Sequence, residues 1–227
     1  MGENRFMFRT LVVAALSLGL MGAGPPPLMP DRVEPVGNLA VAAKTFQGRA
    51  ALQVTDLGPP NGHTDKLVVL PGTDFGDGEI ELWVAGEPGA VGANPGARGF
   101  VGVMFRLSDD RKTGEAFYVR PTNGRAEDQE RRNHTAQYIS APDWPWERLR
   151  RETPSRYEAY VDMQPARWVR LRIVVKGERA RLFVDGAEQP TLIVNDLKGG
   201  AGRRGAIALW IGPGTVAHFA GLTVKPS

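Results

Sequence analysis

A long series of short strand signals constrains this chain more than anything else in its sequence. Twelve stretches carry them, at 50–55, 66–70, 79–85, 100–107, 116–120, 135–139, 157–162, 168–176, 180–184, 191–194, 205–211 and 216–224. Gly, Pro, Asn and Asp separate them, and no long helical period crosses the same region. Short strands at this spacing predict an all-β fold of two packed sheets.

Alternation within the stretches sorts the faces, because side chains on a strand point to opposite sides with period two. Ile80, Leu82 and Val84 share one face, with Glu79, Glu81 and Trp83 on the other. Val101, Val103, Phe105 and Leu107 point inward, which sends Arg106 outward. Phe117 and Val119 point inward, which sends Tyr118 and Arg120 outward. Val169, Leu171, Ile173 and Val175 make a core row, and Arg170, Arg172 and Lys176 a solvent row. Trp168 and Trp210 fall on outward faces. Sheets with one dry and one wet face are usually antiparallel. Asp185-Gly186, directly after Leu182-Phe-Val184, marks a two-residue hairpin turn.

The N-terminus reads differently. Arg5 and Arg9 precede an apolar run at 11–20, and Gly22, Ala23 and Gly24 follow it. That order is a secretory signal, assigned to residues 1–23. The run is short of the roughly 20 residues that span a bilayer, so no transmembrane anchoring is expected after cleavage. An uncleaved anchor is the alternative. Residues 24–44 read as a Pro/Gly-rich tether and 45–227 as the sandwich domain. The expected location is outside the cytoplasm, periplasmic or secreted. The chain has no cysteine, which excludes disulfides, thiol catalysis and Cys-based zinc sites. Its net charge of +3 comes from 28 basic and 25 acidic residues interleaved along the chain. A nucleic-acid footprint would be a patch of one sign, so no such partner is expected.

Residues 121–154 break the strand rhythm. The segment is long, polar and Arg/Trp-rich, and a loop of that length in a domain is usually functional. It supplies most of a candidate site. Arg106, Tyr118, Arg120, Asn123, Arg125, His134, Gln137 and Tyr138 are candidate ligand-binding residues, with Trp144 and Trp146 as a stacking platform. Tyr157 lies just beyond. Arginine forks serve the hydroxyls of sugars, and aromatic faces serve their C–H faces. The alternative is an Arg–carboxylate network that pins the loop to the sheet. For acid–base work Asp128 comes first and Glu158 second, although Glu158 and its neighbour Tyr157 cannot both face a ligand. His63, His134 and His218 lack metal-ligand spacing, so no metal site and no cofactor are expected. Calcium is left open through loop carboxylates such as Asp109 and Asp110.

The C-terminal half carries a series of weak motifs: Gly-Val-Met-Phe-Arg106, Ala-Phe-Tyr-Val-Arg120, Trp168-Val-Arg-Leu-Arg-Ile-Val-Val-Lys-Gly177, Ala-Arg-Leu-Phe-Val-Asp-Gly186, Gly205-Ala-Ile-Ala-Leu-Trp-Ile-Gly212 and Phe219-Ala-Gly-Leu-Thr-Val224. Their order, over about residues 45–225, resembles the concanavalin A-like lectin/glucanase jelly roll. Within that superfamily it is most similar to the bacterial exported 3-keto-disaccharide hydrolase family. The resemblance implies a two-sheet antiparallel jelly roll with a curved sheet able to meet a saccharide. Laminarinase-type hydrolases of the same fold set Glu-x-Asp-x-Glu along one strand face. The nearest segment here, Glu79-Ile-Glu81-Leu-Trp83, has tryptophan in place of the third acid. The expected function is therefore carbohydrate-directed, as a glycoside hydrolase of the 3-keto-disaccharide type. The alternative is a non-catalytic carbohydrate-binding or cell-envelope interaction module. The expected partner is a saccharide, and oligomeric state is not legible.

Overall fold

In the computed structural model two seven-stranded sheets lie face to face, and every strand pair is antiparallel. The structure describes residues 27–58, 66–90 and 95–227; the signal-like segment 1–23 and His63 lie outside them. The first sheet runs β1 (Glu34–Val36), β4 (Leu67–Phe75), β13 (Gly205–Ile211), β6 (Val101–Leu107), β7 (Gly114–Val119), β8 (Ala136–Ala141) and β9 (Glu158–Ala159). The second runs β12 (Leu192–Val194), β11 (Arg179–Val184), β10 (Val169–Lys176), β5 (Gly78–Pro88), β14 (Thr215–Pro226), β3 (Arg49–Asp56) and β2 (Leu39–Phe46). This is the expected all-β jelly-roll sandwich. No helix among the described residues is long and apolar enough to cross a membrane.

The alternation expected for β5 and β10 is present. Ile80, Leu82, Val84, Leu171 and Ile173 are buried between the sheets, and Arg170 and Arg172 sit on the other side. Asp185 and Gly186 both have positive φ and turn the chain after β11, as a two-residue hairpin turn requires.

Two expectations need correction. Residues 34–44, assigned to a tether, instead form β1 and most of β2. The strand 39–46 is built of small residues with little polar contrast, so alternation gives it no signal. What places it is the Gln47-Gly48 turn, with φ of 44° and 79°, which folds Phe46 back opposite Arg49. The strand expected over 157–162 shortens to the two residues of β9.

Every residue of β6, β7 and β8 is buried. An ordinary sandwich strand is wet on one side, so the outer face of this sheet must be covered. The cover comes from the chain before β6 and from the long segment after β7. That segment is no open loop: it holds helix α1 (Gln129–Asn133), β8 and helix α2 (Trp146–Glu152).

Candidate functional site

The outer face of the first sheet supplies the floor. Trp210, Gly102, Tyr118 and Gln137 lie side by side across β13, β6, β7 and β8. Gly102 is the enabling residue. A Cβ there would come within 2.2 Å of the Phe117 carbonyl oxygen, and without one Trp210 and Tyr118 stack across the intervening strand at 4.4 Å. Burial pushes the Tyr118 hydroxyl up to about pKa 12, so it stays protonated and accepts a hydrogen bond from Arg120 Nη2 at 2.9 Å. Arg120 also donates to the His134 carbonyl (2.8 Å) and to Gln137 Oε1 (3.2 Å). Gln137 in turn donates to the Tyr138 and Tyr157 carbonyls.

Over this floor opens a cleft of about 640 Å³. Phe100 and Trp146 give it aromatic surface; Arg98, Arg120, Arg131 and Arg150 give it guanidinium groups; Asn123, Asp128, Glu130 and His134 complete its polar wall. Local sequence explains the placement. Asp128 caps α1, its Oδ1 accepting the Arg131 backbone N–H at 2.7 Å, and this turns Arg131 back onto Asn123 Oδ1 (3.0 Å) and Thr122. Trp146 and Arg150 are four residues apart on α2 and so share a helix face, with the guanidinium 4.5 Å from the ring centre.

Behind the cleft sits Glu158, whose side chain is 3% exposed. It accepts from both Nε and Nη2 of Arg150 and lies 3.8 Å from Arg120. His134 Nδ1 is 2.9 Å from Glu158 Oε2, at an angle that leaves both ring nitrogens without a hydrogen bond. Glu158 therefore holds Arg150 in place, with Arg120 and His134 beside it, and it does not line the cleft. Asp128 does.

The structure thus brings together Arg120, Asn123, Asp128, His134 and Trp146, while Tyr118 and Gln137 are buried beneath Arg120 and do not line the cleft. It sends the other candidates elsewhere. Arg106 does not face outward. A β-bulge against β13 gives it a φ of 53° and turns its guanidinium to the end of the sandwich, where it is buried. Tyr138 sits opposite Phe117 and so on the core side, donating to Glu115 Oε1 at 2.8 Å. Arg125 is exposed and pairs with Asp162 at 2.7 Å. Trp144 bridges to Ser140 and lies between Arg148 (3.7 Å) and Lys198 (4.8 Å), away from the cleft. Tyr157 is buried and donates to Asp196.

Other expectations resolve as surface structure. Glu79 and Glu81 pair with Arg172 and Arg170 on the outer face of the second sheet, and Arg49 covers Trp83 at 4.0 Å. Trp168 donates Nε1–H to the Phe46 carbonyl. His218 is buried against Gln53 and stacks on Phe46, and burial lowers its pKa. Asp110 closes its own turn by accepting from Ser108 and Lys112. Among the described residues no three His, Asp or Glu side chains gather as a metal site.

Arg98, Phe100, Glu130, Arg131 and Arg150 also line the cleft, beyond the candidates that the sequence offers. Two of them carry a legible signal: Arg150 through its four-residue spacing from Trp146, and Arg131 through its spacing from the Asp128 cap. Arg98 and Phe100 precede a core strand, and only the tertiary fold brings them over Arg120.

No protein-family model matches this chain, and no curated protein does. Solved structures do resemble it. The carbohydrate binding module CBM66 from Bacillus subtilis superposes with a TM-score of 0.53 at 13% identity, over 84% of this chain and 96% of that one. A Bacillus subtilis protein of unknown function with a galectin-like fold superposes with a TM-score of 0.55 at 13% identity, over 86% and 89%. At this identity the likeness is one of fold alone, a two-sheet antiparallel jelly roll.

Proposed function

We propose that this protein binds a saccharide in the cleft over the first sheet. One observation carries the reading: Phe100 and Trp146 present aromatic surface in the same cleft as four guanidinium groups and the Asn123 side chain. Sugars need that pairing, since their C–H faces pack on rings while their hydroxyls take hydrogen bonds. The volume lies within the roughly 300–1,000 Å³ typical of small-ligand sites. The fold likeness to a carbohydrate binding module supports the same reading. Hydrolysis of the 3-keto-disaccharide type is the second reading. It is favoured by Asp128, the one catalytic candidate on the cleft wall, whose Oδ2 is not used by the helix cap.

A glycan array probed with the full chain tests the first reading. Trp146→Ala and Phe100→Ala are each expected to weaken binding by about tenfold or more, as loss of an aromatic anchor does. Binding unchanged in both variants would overturn it. Assay of 3-keto and ordinary disaccharides tests the second. Under it Asp128→Asn loses about two orders of magnitude or more of turnover, as loss of a general acid or base does. No turnover by the wild type leaves a binding protein alone.

A further inference from the structure

The four guanidinium groups of the cleft are not equally occupied. Arg150 is taken up by Glu158, which it grips through two nitrogens. Arg120 is taken up by His134, Tyr118 and Gln137, close to the same Glu158 carboxylate. Arg98 and Arg131 differ. Arg98 donates from Nη1 to the Pro95 and Ala97 carbonyls, at 2.8 and 3.0 Å. Arg131 donates from Nε to Asn123 and from Nη2 to Thr122. Neither forms an ion pair with a carboxylate of the described residues, and Nε and Nη2 of Arg98 and Nη1 of Arg131 have no acceptor among those residues.

The acids on the cleft wall make no ion pair with them: Asp128 accepts a backbone N–H on Oδ1, and the Glu130 side chain is 82% exposed at the rim, 3.7 Å from His134. Burial, and then repulsion from Arg131 and Arg120, holds Arg98 below the ordinary arginine pKa. Arg98, Arg120 and Arg131 therefore repel one another across one cleft, and an anion between Arg98 and Arg131 would offset that repulsion. A guanidinium fork suits a planar carboxylate: Arg98 has Nε and Nη2 for two parallel bonds, and Arg131 adds one from Nη1.

We propose that the saccharide bound here is acidic, with a uronate carboxylate held between Arg98 and Arg131 and its ring against Phe100 or Trp146. This rests on the saccharide reading and narrows it to one chemical class.

The test is calorimetric titration of the full chain with uronate-containing oligosaccharides, each matched to its neutral counterpart. The acidic member of at least one pair is expected to bind about tenfold tighter or better, the value of one charge-assisted hydrogen bond. Arg98→Gln should bring the ratio of acidic to neutral affinity down to about one, whatever it does to the neutral affinity; a ratio that stays at about tenfold would overturn the role of Arg98. Arg98→Lys, which keeps the charge and loses the fork, should retain only part of the preference. Arg131→Gln should act like Arg98→Gln; if it does not fold, Arg98→Gln decides alone. Arg125→Gln, outside the cleft, should bind as the wild type does. Neutral and acidic members binding equally would overturn the acidic preference and leave the saccharide reading standing. Binding of neither would overturn both. Competition by inorganic sulfate as strong as that of the uronate would overturn the proposal in favour of a bare anion site.

Discussion

Arg106 shows how far a residue's role depends on one backbone angle. Its three side-chain nitrogens donate to the carbonyls of Gly76, Gly177 and Gly200 and to the carboxylates of Asp77 and Glu115. Those groups come from turns beside both sheets and, for Glu115, from β7, so one guanidinium fastens the end of the sandwich. Alternation places it on the wet face, and the bulge at φ 53° reverses that. Replacement by leucine leaves buried Glu115 without its cationic partner and takes the Arg106 donor from three carbonyls. Breaking a buried pair of this kind costs about 3–5 kcal/mol. Urea denaturation of Arg106→Leu is expected to show a loss of that size, and a loss under about 1 kcal/mol would contradict the role assigned here.

Among the elements, β10 is the most legible and the segment 121–157 the least. In β10 the apolar row is buried and the arginine row is half exposed, as period two demands. The contrast predicts unequal costs at adjacent strand positions. Ile173→Ala empties a fully buried site and should cost about 2–5 kcal/mol. Arg172→Ala removes a partly exposed pair with Glu79 and should cost under about 1 kcal/mol. Denaturant midpoints of the two variants, compared at equal slope, check the difference; equal losses would mean the faces are assigned wrongly. The segment 121–157 holds two helices of only five and seven residues, too short to show a helical period. Its aromatic and Arg content signals function, but the sequence leaves open which tryptophan enters the cleft. Trp146 enters because α2 begins at that residue and aims it with Arg150, whereas Trp144 sits before the helix and is pinned at Ser140.

At the scale of the whole molecule the fold is closed by strands distant in sequence. β14, the last strand, lies between β5 and β3 in the second sheet, and β13 joins β4 to β6 in the first. Such non-local pairings make folding slow, in milliseconds to seconds for sandwiches of this kind. They also make the C-terminus indispensable. Deleting residues 215–227 removes buried Ala217 and Phe219 and leaves β5 and β3 without their common partner. That truncation is expected to lose cooperative thermal unfolding, followed by circular dichroism. A cooperative transition at the wild-type temperature would show that the sheet closes without its last strand.

The sequence alone determined the class of fold, the faces of β5, β7 and β10, and the departure of residues 121–154 from the strand rhythm. Each rests on a local physical rule: period two, turn residues with positive φ, and the cost of burying charge. Only the tertiary structure decided which residues meet. Arg98 and Phe100 come over Arg120 because β6 lies beside β7, and Tyr138 leaves the site because its register opposes it to core-facing Phe117. Edge strand β2, the bulge at Arg106 and the Tyr118–Trp210 stack across Gly102 likewise follow from strand pairing, which brings together residues that no local window contains.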